Sequence, residues 1–115
     1  MPTIAVVGEV VADAVLPPDG ISAGVAHLTV HPGGGPANTA VALSRLGSTA
    51  RFAARISGGA LGALCRAKLE ESLVDLSASE SASEPATLAI ARLDATAAAS
   101  YEFYTDGTAD WAWTD

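Results

Sequence analysis

Two hydrophobic rhythms alternate along this chain. Ile4 to Val7 is an unbroken apolar run closed by Gly8, the pattern of a strand buried on both faces of a parallel sheet. Residues Glu9 to Asp13 follow, and Pro17-Pro18-Asp19-Gly20 is a turn. His27 to Val30 predicts a short strand, and Ala37 to Leu46 predicts a helix, with Gly47 where a C′ glycine ends one. Ser48 to Ile56 carries the next strand, with Phe52 and Ile56 apolar. A second helix opens from Ser57-Gly58-Gly59-Ala60-Leu61-Gly62. Leu61, Leu64, Cys65, Leu69 and Leu73 recur there at the spacing of one buried face, with Arg66, Lys68, Glu70 and Glu71 outside it. Ser77 to Pro85 is a loop rich in Ser, Ala and Glu. Thr87–Asp94 and Ala99–Tyr104 then predict two strands joined as a hairpin through 95–98. Strands alternating with helices predict an α/β fold on a parallel sheet.

Between the short strand and the first helix lies Val30-His31-Pro32-Gly33-Gly34-Gly35-Pro36-Ala37-Asn38-Thr39-Ala40. Three consecutive glycines free the backbone from Cβ sterics and allow close approach to a ligand. Pro36 suits the first helical position, where its missing N–H costs nothing. Asn38 falls in the first turn. Unpaired N–H groups and the positive end of the helix dipole suit this place to polyhydroxyl or anionic ligands. The same residues also describe an ordinary flexible turn before a helix. Asp13 is expected just past the C-terminal end of the first strand, where ligands of open α/β sheets gather. A solvated turn acid is the other account of it.

Composition narrows the partners. The chain has 115 residues, half of them hydrophobic but only 5% aromatic, which fits one small domain of closely packed Ala-rich helices on a sheet. Net charge is −7, and every base except Arg92 lies between Arg45 and Lys68. An acidic chain without a basic stripe argues against nucleic acid and against an anionic membrane surface. Cys65 is the only cysteine, so an internal disulfide or a cysteine zinc site is excluded, and its apolar helix position predicts a buried thiol. His27 and His31 lack a carboxylate or thiolate at supporting spacing, so they are expected to be surface residues and no metal site is expected. The N-terminus has no basic segment, and its apolar run is too short for a leader or a membrane span. The expected location is the cytoplasm.

Gly33-Gly34-Gly35-Pro36-Ala37-Asn38-Thr39-Ala40, followed by Leu43 and Leu46-Gly47, resembles the first signature of the ribokinase/fructokinase (PfkB-type) carbohydrate kinases, nearer to fructokinases in its Gly-Pro-Ala-Asn ending. The resemblance covers nearly all of the chain but only the N-terminal portion of such a kinase. It implies a ribokinase-like α/β fold, three layers around a Rossmann-like parallel sheet, with a small β-lid to which Thr87–Asp94 and Ala99–Tyr104 belong. Residues 1–115 would form the N-terminal part of a single kinase domain, and Val74-Asp75-Leu76 resembles the family's strand after the second helix. It further implies sugar binding by Asp13, Gly33, Gly34, Gly35 and Asn38, with Gly8 to Asp13 matching a G-x-x-x-x-D segment. Asp13 and Asn38 are expected to converge on one pocket floored by Gly34. Phe103 or Tyr104 would cover a sugar face. ATP with Mg2+ is the implied phosphoryl donor, and pairing of lid strands between subunits implies a homodimer.

Two departures from the family pattern stand out. Ser57 and Gly59 replace the Gly and Asp of its G-x-D-x-x-G segment, leaving Gly62. The second signature, D-T-x-G-A-G-D, is not among these residues, and Asp106-Gly107-Thr108-Ala109-Asp110 imitates it only in composition. No catalytic residue is therefore assigned. Phosphoryl transfer depends on positioning and on electrostatic stabilisation of the transferred group, so this chain alone is expected to be inactive. The alternative is a non-catalytic module serving association. A dinucleotide-binding βαβ unit ranks last, because Gly58-Gly59 and Gly62 have the wrong spacing.

Overall fold

The computed structural model describes residues 2–114. In chain order the elements are β1 (Thr3–Val7), β2 (Val11–Leu16), β3 (Ile21–Ser22), β4 (Val25–Ala26), β5 (Thr29–Gly33), α1 (Gly35–Arg45), β6 (Thr49–Ala53), β7 (Arg55–Ser57), α2 (Ala60–Glu71), β8 (Glu80–Ala82), β9 (Thr87–Leu93) and β10 (Ala99–Tyr104). A single 3-10 turn, Ala109–Trp111, follows.

The core layer is parallel. β1 pairs with β6, and β7 pairs with β8. The expected strand Ser48–Ile56 is thus two strands, interrupted at Ala54. There the Ser79 hydroxyl replaces a peptide group, accepting from the Ala54 N–H at 3.2 Å and donating to the Phe52 carbonyl at 2.5 Å. The predicted strand at Val74–Leu76 reduces to one parallel bridge, Arg51 to Asp75. The predicted loop Ser77–Pro85 instead contains β8, because β7 offers it a free edge.

α1 packs on β1 and β6, and α2 packs on β7 and on the base of β2 and β5. Between them Phe52 and Ile56 are fully buried, with Leu69 and Cys65 at 1% exposure. Removing a phenylalanine or isoleucine side chain from water contributes about 1.5–3 kcal/mol. Ala37 and Ala40 let α1 approach closely, as the alanine content predicts. Gly47 ends α1 in the left-handed region (φ 96°), its N–H donating to the Ser44 carbonyl.

Two expectations about burial fail. β1 is parallel but mostly exposed, Val7 at 70%, because β6 is its only partner among the described residues. Leu73 does not extend the apolar face of α2. The helix ends at Glu71, and Leu73 turns outward with φ 61° at 85% exposure. Val74 takes the buried position in its stead, its N–H donating to the Leu69 carbonyl.

A second, mixed sheet stands beside the core as a lid, in the order β10-β9-β2-β5. β9 and β10 form the predicted hairpin, β2 runs parallel to β9, and β5 runs antiparallel to β2. Asp13 therefore lies within β2, and not in a turn after β1. The segment Val11–Leu16 finds its partners in β5 and β9, so the chain re-enters a strand three residues after β1 ends.

Candidate functional site

The register of the lid aligns one row across all four strands: His31 opposite Asp13, Asp13 opposite Ala89, and Ala89 opposite Phe103. Directly paired residues share a face, so Asp13 and Phe103 lie on the same side of the sheet. With strands spaced about 4.8 Å apart, they are about 10 Å from one another across the small Ala89. Tyr101 is two residues from Phe103 on the same face, and the two rings stack at 5.9 Å with an interplanar angle of 11°. Tyr104 pairs with Leu88 and belongs to the opposite face, its hydroxyl donating to Glu102 at 2.8 Å. Of the two expected aromatic covers, only Phe103 lies on the Asp13 face, and Tyr101 joins it there. Which aromatic faces Asp13 is decided by the β9–β10 register, which composition does not reveal.

The glycine loop is built against this row. A Cβ placed on Gly33 would overlap Asp13 Oδ2, so the missing side chain leaves room for the carboxylate to lie along the backbone. Gly34 has φ 98°, and a Cβ there would stand 3.0 Å from the Glu9 carbonyl and 3.2 Å from the Val11 nitrogen. It thus lets the loop close on the β1–β2 connection. Pro36 packs over Gly8 on the same connection. Gly35 opens α1 with free space around it, and the Gly34 carbonyl accepts the Asn38 N–H at 2.9 Å.

Asp13 and Asn38 are both exposed. Gly33 is what they have in common: it touches Asp13 and, with Asn38, lines a crevice of about 10 Å³ above Cys65 and Leu69. A crevice of that size has room for about one water molecule and not for a ligand. Gly34 does not line it. Two cavities of ligand size lie elsewhere. One, about 410 Å³, lies at the tip of the lid between Leu16, Pro17 and Arg92. The other, about 390 Å³, lies between the N-terminal end of α2 and the Leu88–Tyr104 face of the lid, opposite Asp13.

Beneath the loop, Cys65 is buried as the sequence predicts, its Sγ donating to the Val11 carbonyl at 3.7 Å. Burial pushes this thiol up to about 11, with the negative charges of Asp110 and Asp13 adding to the effect and the Gly33 N–H opposing it. At neutral pH it is a protonated packing group. Gly62, the glycine retained from the G-x-D-x-x-G pattern, has a structural reason. A Cβ there would overlap the Ser57 carbonyl, so the glycine seats α2 against β7. Ser57 is itself buried, and its hydroxyl accepts the Gly59 N–H at 3.1 Å.

Sequence reasoning gave Asp110 no role. Its carboxylate, half-buried at the base of the lid, accepts hydrogen bonds from Val10 and Thr87. Burial raises its pKa, and those two bonds pull it back down. Its partner Val10 is 100 residues away along the chain, so no local pattern announces the contact.

Residues 1–115 match the description pfkB family carbohydrate kinase. Among solved structures, a fructokinase from Xylella fastidiosa is 28% identical with a TM-score of 0.87, over 98% of this chain and 36% of that one. A second structure of fructokinase from that organism, with bound ATP, is 27% identical over 96% of this chain and 35% of that one, with a TM-score of 0.87. At 18% identity, 2-dehydro-3-deoxygluconokinase from Thermotoga maritima shares the fold, with a TM-score of 0.83 over 99% of this chain and 35% of that one. The chain thus spans about a third of the length of the structures it matches. No match was found among curated protein sequences.

Proposed function

Because the chain belongs to the pfkB family of carbohydrate kinases, with the ribokinase-like α/β fold of the fructokinases it resembles, we propose that it is the sugar-binding part of an ATP-dependent, fructokinase-like enzyme. The observation that carries this proposal is Asp13 lying against Gly33 while sharing a lid face with Phe103. A carboxylate accepts hydrogen bonds from sugar hydroxyls, and an aromatic face suits the apolar C–H side of a sugar ring. Asn38 supplies both donor and acceptor at the start of α1, and Gly33 to Gly35 let the backbone approach the ring.

The same carboxylate opposes a triphosphate at this spot, since like charges in a partly desolvated site repel. ATP and its Mg2+ are therefore assigned to the part of the family fold outside these residues. Bound there, they would supply the phosphoryl group and its charge compensation. The role of this chain is to fix the accepting hydroxyl, the positioning part of phosphoryl-transfer catalysis.

Calorimetric titration of the full chain with fructose and with ribose tests the assignment. Weak but saturable binding is expected, reduced about tenfold to a hundredfold by Asp13→Ala, as for loss of a hydrogen bond to a charged group. Equal binding by wild type and the variant, or no binding of either sugar, would overturn it.

A second reading, association through the lid, is favoured by β10. It is an edge strand with all six residues exposed, Tyr101 and Phe103 among them. Such an edge is a template for pairing with another strand. Concentration-dependent sedimentation that fructose leaves unchanged would favour association over the sugar site.

A further inference from the structure

The two strands that carry the lid out of the core, β2 and β9, begin side by side, with Val11 opposite Thr87 in parallel register. One carboxylate ties both beginnings together. Asp110 Oδ1 accepts the Val10 N–H at 3.1 Å, and Oδ2 accepts the Thr87 hydroxyl at 2.6 Å. The last turn packs beside this tie: the Thr87 and Thr108 hydroxyl oxygens stand 2.9 Å apart, and Thr108 gives its proton to the Thr105 carbonyl at 2.6 Å. Two further bonds seat this turn on the core: the Ala109 N–H donates to the Pro85 carbonyl, and Arg55 donates to the Ala109 carbonyl at 3.2 Å. Val10, Thr87 and Thr108 are all buried, so a loose partner here would be an unsatisfied polar group in the protein interior.

Resting on the sugar-binding assignment above, we propose that Asp110 is a positioning residue that pins the base of the lid and, through β2, holds Asp13 over Gly33. Asp13 is three residues beyond Val10 on the strand that Asp110 anchors, so a tilt of β2 at its base displaces the carboxylate relative to the glycine loop. The tie reaches the core at one residue, Val10, whose side chain belongs to the core cluster. The rest of that cluster is closed around Phe52, Ile56 and Leu69.

Amide hydrogen exchange on the full chain, with a parallel fructose titration, separates this role from ordinary stabilisation. In Asp110→Ala, exchange at Val11–Val15 and Thr87–Ala91 is expected to quicken about tenfold to a hundredfold while Phe52 and Leu69 keep wild-type protection, because local opening is read separately from global unfolding. Fructose affinity is expected to fall about tenfold with it. Asp110→Asn keeps an acceptor for Val10 and a donor for Thr87, and should restore most of both. Thr87→Val should reproduce the alanine variant and Thr87→Ser should not, which covers the case in which Asp110→Ala does not fold. Exchange that rises equally in core and lid, or nowhere, overturns the proposal. So does a loosened lid in a variant that binds fructose as wild type does. If wild type itself binds no sugar, the sugar assignment fails, while the exchange pattern still decides whether Asp110 pins the lid.

Discussion

The core and the lid are held together by different means. The core buries Phe52, Ile56 and Leu69 between two helices and a parallel sheet. The lid buries Ala12, Ala14 and Ala89 with Val11 and Leu16 beside them, and turns its aromatic residues, Tyr101, Phe103 and Tyr104, toward solvent. Its order comes from a four-stranded ladder and from polar ties at its base. Stability is therefore concentrated in the core, while the side chains free to meet a ligand are concentrated in the lid.

The sharpest way to break that contrast is to truncate one phenylalanine in each region. Phe52→Ala should cost about 3–5 kcal/mol in urea-induced unfolding, because it empties a closed cluster. Phe103→Ala, at 67% exposure, should cost less than about 1 kcal/mol. Comparable losses would mean that the lid is a second core.

Two glycines give an intermediate effect of the same kind. In Gly62→Ala the new methyl meets the Ser57 carbonyl, which is backbone and must be displaced, so a loss of about 1–3 kcal/mol is expected. In Gly33→Ala it meets the end of the Asp13 side chain, which is free to swing away. Unfolding should then change by less than about 1 kcal/mol, while fructose affinity falls roughly tenfold as the carboxylate leaves its place. Thermal melts paired with sugar titrations read both.

The smallest expected effect is in acid. The Arg51 guanidinium 2.9 Å away and the Ser77 N–H hold the Asp75 carboxyl down to about 2. A depressed carboxyl contributes stability above its unfolded value, and that contribution is lost as pH falls from about 3.9 through the folded value. Asp110 has the opposite sign. Burial raises its carboxyl, so its contribution is greatest in acid and declines as pH rises through its folded value. Melts of wild type and Asp75→Asn should therefore differ at neutral pH and converge in acid. The gap should be small, since water screens the pair. An Asp110→Asn gap that changes with pH in the same sense as that of Asp75→Asn would contradict the assigned shifts.

What was legible in the sequence was local. Gly47 marks the end of α1, the run through 95–98 marks the hairpin, and the apolar setting of Cys65 announces a buried thiol. The glycine loop could be located, but its geometry could not, because Gly33 is shaped by a carboxylate on another strand. Asp13 lies within a strand and not just past the end of the first one, because β2 is defined by partners in β5 and β9 rather than by its own alternation. Leu73 kept the helical spacing of α2, yet the helix had already ended. The break at Ala54 depends on a single hydroxyl, Ser79, which no periodicity predicts.

Cys65 gives the boundary between core and lid a reporter of its own. Its sulfur is covered by the Val11 carbonyl at the foot of β2 and stays protonated at neutral pH. A thiol reagent in solution therefore reacts only with molecules in which that boundary has parted, and the rate of labelling counts those openings one at a time. As the only cysteine in the chain, it allows opening at this joint to be followed without any added label site.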